Sequence, residues 1–331
     1  MRRLIEMTQG AAVNQIPHPM ADSRPAGNAA PSAQQPRAAV TFDHNETLAE
    51  AIARNVHDAL MEDIGGGDWT AQLVRAGQRV LAQITAKEAV VICGRPWFDG
   101  CVLALDAAAE LTWHAAEGEA LAAGSVVCRI EGDARALLSA ERPALNFLQT
   151  LSAVAGATRA YVTAIAGASP NPRGCAVLDT RKTLPGLRQA QKYAVRTGGG
   201  SNQRLALWDG ILIKENHIAA AGGIAAALAA ARALVVGAAG AGVPIQIEVE
   251  SLDELQQALD AGAASVLIDD FSPGDMLAAV ALNAGRALLE VSGGVDLAVV
   301  RRIAATGVDR ISIGKLTKDV RAVDLSMRIV G

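Results

Sequence analysis

Aromatic side chains are scarce. Four Trp, two Tyr and four Phe make up 3% of 331 residues, while apolar residues reach 51%. A core must therefore be built from Ala, Val, Leu and Ile, which suits parallel strands packed by Ala-rich helices. Cysteine is equally sparse. Cys93, Cys101, Cys128 and Cys175 are scattered without a CxxC pair, so neither a zinc site nor a redox motif has support. They read as buried thiols in a reducing compartment. There is no basic excess: the formal charge is −4 and the pI is near 5.8, which argues against a nucleic-acid or membrane-surface role. No apolar run approaches the ~20 residues of a membrane span. Met1-Arg2-Arg3 is not followed by the apolar stretch of a signal peptide. The expectation is a cytoplasmic protein with no nucleic-acid or membrane partner, whose affinity for anions comes from local sites.

Residues 1–41 are rich in Ala, Pro, Gln, Asn and Ser and hold little that could form a core, so disorder is expected there. Order should begin near Thr47, because Leu48, Ile52, Val56 and Leu60 fall at helical spacing. A Gly-rich loop follows at 62–70. Short β-type runs at 81–86, 89–93 and 126–130, with helical pieces between them, predict a small α/β domain with a mixed sheet. A long helix is predicted from about 134 to 166, broken or bent near Gly156.

Beyond Gly174 apolar strands alternate with Ala-rich helices: 176–178, 211–213, 245–249, 266–268, 287–291 and 311–313. This is the rhythm of βα units, whose right-handed crossovers make a parallel sheet or barrel. Each strand runs into polar residues. The first leads to Asp179, Thr180, Arg181 and Lys182, the second to Lys214, Glu215, Asn216 and His217. The third carries Glu248 and Glu250, and the fourth Asp269 and Asp270. The fifth carries Glu290 and then Ser292-Gly293-Gly294, and the sixth Ser312-Ile313-Gly314-Lys315. Six such coincidences in succession predict one polar basin at the carboxyl ends of the strands. An open doubly wound sheet would place a ligand there too.

The basin mixes cations (Arg181, Lys182, Arg204, Lys214) with the anions Glu248 and Asp269. That mixture suits an anionic substrate together with a sugar or a metal-bound phosphate. The turns Ser292-Gly293-Gly294 and Ser312-Ile313-Gly314 follow the last two strands, where backbone N–H groups and a helix N-terminus commonly hold phosphate. The stretch Gly198 to Arg204 reads as a flexible loop that contacts substrate and orders on binding. A Schiff-base aldolase using Lys214 or Lys182 is an alternative, but it leaves the dense arginines unexplained. His217 reads as a structural residue at a strand end.

These segments together resemble the quinolinate phosphoribosyltransferase family. The matching motifs are EDIGGGDWT at 62–70, ERPALNFLQ at 141–149, DTRKTLPGLR at 179–188, YAVRTGGGSNQR at 193–204, LIKENHI at 212–218, IEVES at 247–251, LIDDF at 267–271, LEVSGGV at 289–295 and SIGKLTK at 312–318. The likeness runs from about residue 46 to the end. It implies an N-terminal α/β sandwich-like domain over 42–152 and an incomplete parallel α/β barrel, of fewer than eight strands, over 153–316. The segment 317–331 would return to the first domain. It implies a homodimer whose active sites are shared between subunits. The implied activity is that of a pentosyltransferase of NAD biosynthesis. It joins quinolinate to phosphoribosyl pyrophosphate, with Mg2+ on the donor, and releases pyrophosphate and carbon dioxide.

By the same resemblance, Arg181, Arg204 and Lys214 hold the two acceptor carboxylates, and Arg142 is supplied by the partner subunit. Lys182, with Thr180 beside it, lies next to the donor. Glu248 and Asp269 act near the ribose and its magnesium. Ser292, Gly293, Gly294, Ser312, Ile313 and Gly314 cradle the 5′-phosphate. Two positions depart from the family pattern. Gln203 stands where many relatives have histidine, and Lys315 where many have a small residue. A phosphoribosyltransferase of the same fold with another acceptor is the nearest alternative; three cationic carboxylate-binding candidates speak against it.

Overall fold

The computed structural model describes residues 44–236 and 242–330; the tail expected to be disordered over 1–41 lies outside them. The first helix, α1 (Leu48–Ile64), is set by its cap. Thr47 Oγ1 accepts the Glu50 N–H at 3.3 Å, and Glu50 Oε2 accepts the Thr47 N–H at 2.8 Å, which satisfies two donors that a bare helix start leaves orphaned. There follow β1 (Arg79–Ala86), β2 (Val90–Val91), α2 (Arg95–Leu105), β3 (Glu110–Trp113), β4 (Ala120–Leu121), β5 (Val126–Asp133) and α3 (Ala134–Ile165). In β1 every second residue from Val80 to Ala86 is buried, so one face meets the core.

The sheet of this first part is antiparallel rather than mixed. Its order is β12–β1–β5–β3, where β12 (Leu325–Ile329) is the last strand of the chain and pairs with β1 from Ala82↔Ile329 to Ala86↔Leu325. The edge strands β3 and β12 escape a sequence reading because they are short and only partly buried. The helix α3 runs unbroken through Gly156, so of the break or bend expected there the break is absent. No atom lies within 4 Å of where a Gly156 Cβ would stand, so this glycine answers to no close approach. The ~1 kcal/mol that glycine costs a helix is outweighed by the packing of Leu145, Leu148, Leu151 and Val154, all buried.

The second part continues with β6 (Ala176–Leu178), α4 (Arg188–Thr197), β7 (Ile211–Ile213), α5 (Glu215–Ala221), α6 (Ile224–Val235), β8 (Ile245–Val249), α7 (Leu252–Asp260), β9 (Ser265–Asp269), α8 (Pro273–Asn283), β10 (Leu288–Ser292), α9 (Val300–Ala304), β11 (Arg310–Ser312) and α10 (Lys315–Lys318). Its six strands are all parallel, in the order β6–β11–β10–β9–β8–β7. The barrel is incomplete: β6 and β7 are its two ends, and only an isolated parallel bridge from Leu178 to Ser201 extends the β6 edge. Ile247, Val249, Val266, Ile268, Leu289 and Val291 are buried with Ala227, Leu228, Ala258 and Ala279 of the helix layer. The alternate strand residues Gln246, Glu248, Glu290 and Ser312 form the polar interior. No single helix among the described residues is long and apolar enough to cross a membrane.

Candidate active site

Strand register assembles the rim of the basin. Ser292 lies opposite Asp269, and Ser312 opposite Leu178, so the ends of β6, β11, β10 and β9 stand side by side. One level deeper, Leu267 pairs with Glu248 on one side and Glu290 on the other.

Arg181 stands just beyond the carboxyl end of β6, whereas Arg204 lines a cavity of about 530 Å³ with Gly210, Pro244, Ser265 and Arg310, at the amino ends of the strands. The Nε of each is buried without a hydrogen-bond partner. Arg204 Nη1 donates to the Gly210 carbonyl at 2.8 Å. Burial, and then the like charge of Arg181, push the Arg204 guanidinium below its ordinary pKa. Neither arginine forms an ion pair among the described residues. Two guanidiniums that feel each other's charge and have no counter-charge are unfavourable in a partly dry site. A dianion that bonds both removes that penalty.

Lys214 faces the same basin but is paired: its Nζ donates to both oxygens of Glu248 at 2.7 Å. The Lys214 N–H donates to His217 Nδ1 at 3.0 Å, so His217 caps α5 and its structural reading stands. Thr180 Oγ1 accepts the Lys182 N–H at 3.0 Å. A Cβ on Gly314 would come within 3.2 Å of Lys182 Cδ and 3.6 Å of Thr180 Oγ1. Lys182 and Thr180 therefore lie against the Ser312-Ile313-Gly314 turn, and Thr317 Oγ1 anchors the Lys182 carbonyl at 2.8 Å.

The two glycine turns differ from the expected cradle. Ile313 is buried and its N–H donates to the Leu178 carbonyl at 2.8 Å. Ser312 Oγ donates to the Val291 carbonyl at 3.3 Å. Both residues fasten the strand end. After Ser292-Gly293-Gly294 the next helix begins only at Val300, and α10 is a single turn. An anion at the Ser292-Gly293-Gly294 turn would rest on loop N–H groups, not on a helix N-terminus. Gly294 has no atom within 4 Å of a built Cβ, so an anion can come close to its backbone.

Asp270 was not singled out as a site residue from sequence, although it stands beside Asp269. It has φ +54°, a left-handed conformation that is uncommon without glycine and tends to occur at functional sites. Its N–H bonds the Ser292 carbonyl at 3.4 Å. A Cβ on Gly293, whose φ is +92°, would fall 2.0 Å from Asp270 Oδ1. Gly293→Ala should therefore cost about 1–3 kcal/mol. A thermal melt of the variant checks this, and an unchanged midpoint would show that the turn can relax freely.

The loop from Gly198 to Arg204 is packed rather than open. A Cβ on Gly198 would meet the Ala155 carbonyl at 2.5 Å, and one on Gly200 would meet Thr158 Cγ2 at 2.8 Å. These glycines allow a close crossing of α3. Gln203 points into the barrel: its Nε2 donates to Gln246 Oε1 at 2.9 Å, and Gln246 Nε2 donates to Glu290 Oε2 at 2.9 Å. Burial pushes the Glu290 carboxyl up, against the Gln246 hydrogen bond.

Arg142 is not brought to the basin of its own chain. It lines a groove of about 160 Å³ between α1 and α3 with Glu62, Asp63 and Asn146. Its contact is a 3.7 Å approach to neighbouring Glu141. Among the described residues no group of three or more His, Cys, Asp or Glu side chains could hold a metal ion. Cys93, Cys101 and Cys128 are buried, Cys175 is half-buried, and all four are free thiols.

Fold and site together define an enzyme of the α/β-barrel class, with arginines, lysines and carboxylates gathered on an incomplete parallel barrel. Residues 68–152 match the N-terminal domain of quinolinate phosphoribosyl transferase, and residues 154–328 match its C-terminal domain. The chain belongs to the quinolinate phosphoribosyltransferase family. It is 38% identical over 288 residues to the nicotinate-nucleotide pyrophosphorylase (carboxylating) of Mycobacterium leprae, covering 84% of this chain and 97% of that protein. It is 35% identical over 281 residues to the human protein of the same name, covering 84% and 91%. The solved nicotinate-nucleotide pyrophosphorylase of Francisella tularensis superposes with a TM-score of 0.80 at 40% identity, over 88% of this chain and 100% of that one.

Proposed function

We propose that this chain transfers the phosphoribosyl group of phosphoribosyl pyrophosphate to quinolinate. The products are nicotinate mononucleotide, pyrophosphate and carbon dioxide, a step of de novo NAD biosynthesis. The observation that carries this reading is the pair of buried, unpartnered Nε atoms on Arg181 and Arg204. Quinolinate is a vicinal dicarboxylate, and two guanidiniums without counter-charge suit it. The aldolase reading loses ground at Lys214, whose Nζ is bonded to both oxygens of Glu248, whereas a Schiff base needs a free amine.

In this reading Arg181 and Arg204 hold the carboxylates and place the ring nitrogen against the anomeric carbon. Lys214 completes the acceptor side and keeps Glu248 oriented. As pyrophosphate leaves, positive charge develops on the ribose. Glu248 and Asp269, at the ends of β8 and β9, stabilise it. Lys182 and Thr180 meet the donor, and the Ser292-Gly293-Gly294 and Gly314 turns meet its 5′-phosphate. The carboxylates fit an ion that enters on the donor: Asp269 is half-buried at the rim and belongs to no three-ligand cluster among the described residues. Mg2+ on the donor would neutralise the leaving pyrophosphate. Both substrates are highly charged and do not cross membranes unaided, so we place the reaction in the cytoplasm.

Incubation with quinolinate, phosphoribosyl pyrophosphate and magnesium should yield nicotinate mononucleotide by mass spectrometry. A chelator should stop it, and nicotinate should not replace quinolinate. Formation of a nucleotide from nicotinate alone would shift the reading to another acceptor.

The homodimer with a shared site is part of the same proposal, supported by the place of Arg142 outside its own basin. Arg142→Ala and Arg181→Ala subunits should each be nearly inactive alone. After mixing and exchange, activity should return in part, because a mixed dimer holds one intact site. No recovery despite proven exchange would count against sharing.

A further inference from the structure

Arg181 and Arg204 repel one another, yet no carboxylate among the described residues forms an ion pair with either. Asp179 and Lys192 are both fully buried and form an ion pair. Asp179 directly follows β6, two residues before Arg181. Its Oδ1 accepts the Lys192 ammonium and the main-chain N–H of Gln203 at 2.9 Å. Lys192 Nζ also donates to the Gln203 carbonyl at 2.9 Å. The residue directly before Arg204 thus has both main-chain polar groups held by one buried pair. Asn202 reinforces it: its Nδ2 donates to Asp179 Oδ2 and to the Lys192 carbonyl. The Gln203 side chain is held from the other direction by Gln246, which in turn donates to Glu290.

Burial pushes the Asp179 carboxyl up and the Lys192 ammonium down, against their mutual attraction. A buried ion pair is seldom the most stable filling of its space. Apolar groups of similar volume are often as good or better. Its presence here calls for a role other than stability.

We propose that the Asp179–Lys192 pair is a positioning device that fixes the main chain leading to Arg204 relative to that leading to Arg181, and so sets the preference for a vicinal dicarboxylate acceptor over a monocarboxylate. This rests on the functional reading above. Neither residue touches substrate; both act through the backbone of Gln203 and the chain leading to Arg181.

The test uses the full chain with two variants. Asp179→Asn combined with Lys192→Met removes both charges at similar volume. Asn202→Ala removes the reinforcing amide and leaves no buried charge unpaired. Calorimetry with quinolinate, nicotinate and magnesium phosphoribosyl pyrophosphate, together with a thermal melt, reads the outcome. In the double variant quinolinate binding should weaken about tenfold. Donor binding should stay within about threefold, and the preference for quinolinate over nicotinate should narrow. In steady state the KM for quinolinate should rise by a larger factor than kcat falls. Asn202→Ala should act in the same direction with a smaller effect, and it decides the matter alone if the double variant does not fold. Quinolinate affinity unchanged in a folded variant, whatever the melting midpoint does, would overturn the inference. If the unaltered enzyme itself bound no quinolinate, the functional reading would have failed and this inference with it. If it binds and the variants match it, only the positioning role fails.

Discussion

Arg204→Ala should weaken quinolinate binding by roughly ten- to a hundredfold while leaving donor binding nearly unchanged. The size follows from the bond that is lost. A charge-assisted contact from a guanidinium to a carboxylate contributes ~1.5–3 kcal/mol, and each ~1.4 kcal/mol is a factor of ten in affinity. The direction follows from the site. Arg204 has a buried Nε with no partner, so in the free enzyme it is ready for an anion. Removing it also relieves the repulsion on Arg181, which offsets a small part of the loss. Calorimetry on the variant with each substrate separately gives the answer. Intact quinolinate affinity with lost donor binding would move the phosphate to where the acceptor is placed here.

Glu248→Ala should lower kcat by about a hundred- to a thousandfold, the range seen when one electrostatic stabiliser of a transition state is removed. The carboxylate is nearly buried, with its side chain 9% exposed, in the barrel interior, where charge is poorly screened. Its stabilisation of the ribose develops mainly in the transition state, so kcat and kcat/KM should fall together for the donor. A second effect separates it from a simple charge deletion. Lys214 loses the partner it holds at 2.7 Å, and its freed ammonium is available to the acceptor. The quinolinate KM should therefore not rise, and a modest fall is expected. Steady-state kinetics with each substrate varied in turn checks both statements. A loss confined to KM would remove Glu248 from the chemistry.

Much of the barrel could be read before any coordinates, for a definite reason. The strands β8, β9 and β10 are apolar runs bounded by turns, because their outward residues are covered by helices. Their inward polar residues then stand out against that background, which is why Glu248, Asp269 and Glu290 were visible. The edge strands β3 and β12 were less legible. Glu110–Trp113 and Leu325–Ile329 are short and half-covered, and neither carries a run that a periodicity count can separate from loop. The antiparallel order of the first sheet is a property of long-range pairing and leaves no local trace. Gly198 and Gly200 illustrate a different failure. Glycine triplets suggest flexibility, but here they permit close packing on α3. Lys192 was invisible for the converse reason: in the polar stretch Arg188–Thr197 a lysine reads as a solvated face, and only the fold shows it buried against Asp179.

The most direct test of the account is the release of labelled carbon dioxide from quinolinate carrying the label in its 2-carboxylate. Release should depend on phosphoribosyl pyrophosphate and magnesium and should match nicotinate mononucleotide mole for mole. Label retained in the nucleotide, or release that proceeds without the donor, would contradict it.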